Sequence, residues 1–92
     1  MEKKIVIWDT NAVRAMEILS NLKQAMQDAH VHYHVDIMSE PPLVARSGMA
    51  DKLPSLEVNG LIWTWKIGES ISLEAAKELL RILDKGAKPA TA

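Results

Sequence analysis

Cysteine is absent from the 92-residue chain, which excludes disulfide staples, cysteine-based zinc sites and thiol chemistry by the residues as they stand. The fold must then be held by its core alone. Long apolar runs are missing as well, since a bilayer span needs roughly 20 apolar residues, so no membrane association is expected. Neither sign of charge dominates, the formal net being −1, and no basic field for nucleic acid is implied. Met1-Glu2-Lys3-Lys4 leads into an apolar run that Asp9 ends at once. That pattern omits the apolar centre of a secretory signal and makes a cytoplasmic location the expectation.

What is present suits an ordinary globular domain, with 48% hydrophobic and 25% charged residues. A chain of this length buries only roughly 60–65% of the surface it exposes when unfolded, so one domain over residues 1–86 is expected, followed by a polar tail at 87–92. Lys4 to Trp8 is a short β-branched run that reads as a strand buried on both faces. Thr10 or Asn11 can cap a helix whose apolar residues recur at Val13, Met16, Leu19, Leu22 and Met26, beside Ala15, Ala25 and Ala29, and which ends near His30. Val31 to Met38 alternates Val31, Tyr33, Val35 and Ile37 against His32, His34 and Asp36, the period of a half-buried strand.

Pro41-Pro42 closes that strand, and Leu43 to Ser47 can make a short helix with Pro42 at its first position and Gly48 at its end. Leu53 to Val58 and Leu61 to Ile67 are strand-like runs joined by Asn59-Gly60, a strong hairpin signal. Ser70 or Ser72 can cap a last helix with an apolar stripe through Leu73, Ala76, Leu79, Leu80 and Leu83, stopped by Lys85-Gly86. The expected fold is therefore α/β, in the order β-α-β-(short α)-β-β-α. Its four-stranded mixed sheet has the first strand inside and both long helices on one face.

With Leu53-Pro54-Ser55-Leu56 opening the third strand and Asn59-Gly60 at the hairpin, this order resembles the thioredoxin-like superfamily. The nearest likeness is to the small thioredoxin/glutaredoxin-like "redox-active disulfide" proteins, over residues 3 to about 84. The resemblance implies a thiol-disulfide oxidoreductase, with a cis peptide bond before Pro54 beside the N-terminus of the first helix. It also implies a protein or thiol substrate held around Trp8, Asp9, Asn11, Arg14, Leu53 and Pro54, and no cofactor.

In that family Cys-x-x-Cys opens the first helix, where free backbone donors and the dipole stabilise the first thiolate. Placed on this chain, the two positions fall on Ala12 and Ala15, so neither can act as nucleophile. Engineered replacement and natural loss of the cysteines both leave this pattern. The Gly48 to Pro54 connection is one residue longer than the family's usual one, and Pro41-Pro42 is unusual there. A different use of the fold, as a binding module without redox chemistry, is illustrated by the circadian clock KaiB type, to whose Ser-Val-Arg-Ala run Ala12-Val13-Arg14-Ala15 is similar. The downstream half follows the redox proteins instead.

Three further groups stand out. His30, His32 and His34 could ligate zinc, copper or nickel if alternating imidazoles converged, with Asp36 as a possible fourth donor. Their simpler reading is a helix-end cation and an exposed strand face. Trp63 and Trp65, alternating with Leu61 and Ile67, are expected on one strand face. There they would pack on the last helix or, at a sheet edge, form a homodimer surface. Glu17 lies three residues from Arg14 and suits a surface pair with it, while Asp9 complements the helix N-terminus.

Overall fold

The fold is known from a computed structural model, which describes residues 3–84. The expected tail and the Lys85-Gly86 helix stop lie outside the described residues. Seven elements follow one another: β1 (Lys4–Trp8), α1 (Ala12–Ala29), β2 (His34–Met38), α2 (Pro41–Arg46), β3 (Ser55–Val58), β4 (Leu61–Trp63) and α3 (Leu73–Asp84). They build a four-stranded mixed sheet in the order β2-β1-β3-β4. β1 is parallel to β2 and antiparallel to β3, and β3 is antiparallel to β4. β1 thus lies inside the sheet, the hairpin on one side of it and β2 on the other edge, as expected.

One face of the sheet carries both long helices. Ile5, Ile7, Leu56, Val58 and Trp63 from the strands join Ile18 and Leu22 of α1 and Leu79 and Leu80 of α3 in a single core cluster. Each large aliphatic side chain so buried contributes about 1.5–3 kcal/mol. α1 and α3 also pack on each other, and the residues they bury include Ala15 and Ala25 on one helix and Ala75 and Ala76 on the other. Such small side chains let two helix backbones come close. Asn21 Nδ2 donates to the Ile71 carbonyl at 2.9 Å and Lys77 meets Asp28 at 3.4 Å across the same seam. Val44 and Met49 are buried outside this cluster.

Local chemistry explains the element ends. Asn11 caps α1 by accepting from the Arg14 amide at 3.0 Å. His30 closes α1 in the left-handed conformation, its N–H bonded to the Gln27 carbonyl. Asn59 and Gly60 both take positive φ (49° and 90°), the requirement of a tight hairpin turn. Ser72, rather than Ser70, caps α3 through the Ala75 amide.

Several sequence expectations are corrected. α1 leaves Val13 and Met16 81% and 57% exposed and buries Ile18 completely, because its inward stripe runs through Ala15, Ile18, Leu22, Ala25 and Met26. β2 begins at His34, the three residues before it being irregular, although Val31, Tyr33, Val35 and Ile37 all pack against the core as the alternation requires. α2 begins at Pro41, so both prolines sit in its first turn, where no backbone donor is needed.

β3 starts at Ser55, and β4 stops at Trp63. Beyond it the Thr64 hydroxyl bonds sideways to Ser55 Oγ at 2.7 Å, and the chain then bends towards a turn at Gly68 (φ 80°). Trp63 is therefore buried, whereas Leu61, Trp65 and Ile67 are exposed, and the four do not share a strand face. The two indoles still stack, with centroids 5.7 Å apart.

Candidate functional site at one end of the sheet

Trp8 is the last residue of β1 and pairs with Ser55, the first of β3. One step past that pair, the two chains continue as Asp9 and Pro54, so sheet register alone brings the entry to α1 beside the Leu53-Pro54 peptide. That peptide bond is cis, as the resemblance implies. Pro54 and Ser55 are fully buried, and Ser55 Oγ, which also bonds the Lys52 carbonyl, holds the loop from within.

A polar relay ties this end together. Asp9 is completely buried. Its carboxylate accepts from the Asn11 amide at 3.0 Å and from Arg14 Nε and Nη2 at 2.6 and 2.8 Å, a bidentate fork of the strong kind. Arg14 Nη1 donates onward to the Gly68 carbonyl at 3.0 Å, and the Gly68 amide donates to the Leu53 carbonyl at 2.8 Å. The first turn of α1, the loop after β4 and the cis-Pro54 loop are thus linked by hydrogen bonds. The bond to Asp9 raises the pKa of the Arg14 guanidinium, with burial opposing it and the Asp9 charge adding to it.

The sequence-selected residues fall into two groups around this relay. Asp9 and Arg14 hold the site: Asp9 is buried, and Arg14 pairs with Asp9 rather than with the exposed Glu17. Trp8 is half-buried, its Nε1 donating to Glu57 Oε1 at 3.0 Å. Asn11 and Ala12 are exposed at the helix start, Ala15 is buried one turn on, and Leu53 is half-buried. Gly68 and Ser55 belong to the same end and were not singled out from sequence. The turn glycine after the hairpin was the available signal for Gly68.

The histidines do not converge in this way. His30 ends α1, His32 precedes β2, and His34 Nε2 meets Asp36 Oδ1 at 3.1 Å. Among the described residues, no three His, Cys, Asp or Glu side chains are placed to hold a metal ion. None of the described helices is long and apolar enough to cross a membrane.

The class that fold and site define is an α/β domain with a mixed sheet, two long helices on one face and a cis-proline loop at the helix start. This arrangement is consistent with a thioredoxin-like layout. No family model matches the chain, and no curated protein matches it in sequence.

Proposed function

We propose that this is a thioredoxin-like domain that binds a segment of a protein or thiol substrate where Trp8, the start of α1 and the Leu53-Pro54 loop meet. Its family role is thiol-disulfide exchange, for which the reacting positions are Ala12 and Ala15. With alanine at both, the chain binds without thiol chemistry. The observation that carries this reading is the hydrogen-bonded link from the Leu53-Pro54 loop through Gly68 and Arg14 to the helix turn that holds Ala12 and Ala15.

The geometry supports assigning the two positions separate roles. Ala12 is exposed in the first helical turn and Ala15 is buried one turn on. Residues three apart in an α-helix have Cα atoms about 5 Å apart, within the span a disulfide bridges. An exposed thiolate at position 12 would have the helix N-terminus to stabilise it, and a buried thiol at position 15 would resolve the mixed disulfide.

The test is the A12C/A15C double variant equilibrated with glutathione disulfide. Formation of one intramolecular disulfide, with release of two glutathione thiols, and faster thiol alkylation of A12C than of A15C are the expected results. A double variant that stays reduced or forms only mixed disulfides overturns the redox part. The binding part is read separately, from amide shifts of Trp8, Ala12 and Gly68 as a peptide disulfide or its reduced form is titrated into the original chain.

A further inference from the structure

Charge at the cis-Pro54 end is balanced before any ligand arrives. Within two residues along the chain of Trp8, Ala12, Leu53-Pro54 and Gly68 stand the acids Asp9, Asp51 and Glu69 and the bases Arg14, Lys52 and Lys66. Each base has an acid for a neighbour: Arg14 is bonded to Asp9, Lys52 follows Asp51, and Lys66 lies three residues from Glu69. Two more carboxylates, Glu57 bonded to Trp8 Nε1 and the exposed Glu17 of α1, tilt the balance towards the negative.

The features that would draw an anion here are already used by the chain itself. Asp9, completely buried, stands just before α1 and sets its negative charge against the positive end of the helix dipole. The same carboxylate takes the Nε and Nη2 donors of Arg14, so the guanidinium presents no uncompensated charge to a ligand. With Nη1 bonded to Gly68, Arg14 keeps one N–H on each Nη free among the described residues, and its side chain is 20% exposed. Those donors suit a neutral acceptor such as a peptide carbonyl. Exposed apolar side chains adjoin them in sequence, Val13 after Ala12 and Ile67 before Gly68.

Resting on the binding function proposed above, we infer that this end selects an uncharged stretch of polypeptide and rejects small anionic thiols such as glutathione, which carries a carboxylate at each end. Asp9 acts as a built-in anion: it takes up the charge that Arg14 and the helix start would otherwise offer to a ligand. Selection then falls to apolar contact and main-chain hydrogen bonds, neither of which salt screens.

The probes are the disulfide-linked dimer of acetyl-Val-Cys-Ala-amide, which has no charge, and glutathione disulfide. Each is titrated into the full chain and followed by the amide shifts of Trp8, Ala12 and Gly68. The uncharged dimer should bind roughly tenfold more tightly, its affinity changing less than about twofold between about 0.02 and 0.5 M salt. In D9N, which keeps the shape of the side chain and frees the charge of Arg14, that preference should fall to about threefold or less, and binding of glutathione disulfide should weaken as salt is raised. Equal binding of the two probes by the original chain overturns the inference, as does an unchanged preference in a folded D9N. If D9N does not fold, the two probes on the original chain decide alone. Should neither probe shift these amides at millimolar concentration, the proposed binding function fails, and the selectivity falls with it.

Discussion

The two long helices cover the same face of one sheet but distribute their apolar residues differently. In α3 the buried Ala76, Leu79 and Leu80 lie on the stripe expected from its spacing, with Ala75 buried beside it and Leu73 and Leu83 half-buried at its ends. In α1 two alanines sit inside while Val13 and Met16 face out, beside a turn held by Asp9 and Arg14. Helix α3 is secured by apolar contact along its length. The first turn of α1 is secured by charge and hydrogen bonds, which leaves its apolar side chains available at the proposed binding end.

The comparison breaks most directly at the core. Ile18→Ala in α1 and Leu79→Ala in α3 should each destabilise by about 3–4 kcal/mol in urea unfolding, because both side chains are fully buried. A loss under about 1 kcal/mol for Ile18 would restore the stripe through Val13 and Met16.

Next in size is Arg14→Ala, expected to cost about 3 kcal/mol by leaving the Asp9 carboxylate buried with only the Asn11 amide for company. A group whose folded pKa is raised contributes fully below its unfolded value and loses that contribution as pH rises through the folded one. For Arg14 both lie at or above the ordinary arginine value, so the loss should be the same at about pH 7 and pH 10. The corresponding cap substitution in α3, Ser72→Ala, should cost only about 1 kcal/mol.

The smallest effect on stability is expected from Val13→Ser, within about 0.5 kcal/mol. The same variant should weaken peptide binding at the Pro54 end. Unchanged binding would separate the outward apolar residues from the proposed function.

Much of the fold was legible because the signals were local. Lys4 to Trp8, the Asn11 cap, the Asn59-Gly60 turn and the α3 stripe each rest on a few adjacent residues. The phase of α1 was not, because Leu22 and Met26 belong to both competing stripes and alanine carries a weak hydrophobic signal. What selects the alanine stripe is the partner helix, with its own Ala75 and Ala76. The end of β4 was hidden for a similar reason: nothing near Thr64 announces that its hydroxyl will turn to Ser55.

At the site, the cis-Pro54 bond followed from the resemblance. The Asp9–Arg14 pair was missed in favour of Glu17, since helical spacing weighs residues within a helix and Asp9 precedes it.

The relay from Asp9 through Arg14 and Gly68 to Leu53 also has a bearing on how the protein is made. β1, α1 and β2 can pair once residue 38 has been added, but the guanidinium of Arg14 lacks its Gly68 carbonyl, and the Leu53 carbonyl lacks its Gly68 donor, until residue 68 follows. During synthesis from the N-terminus, the sheet can therefore begin to assemble well before the binding end is complete. A growing chain offers its outer strand to the surroundings first and its finished site last.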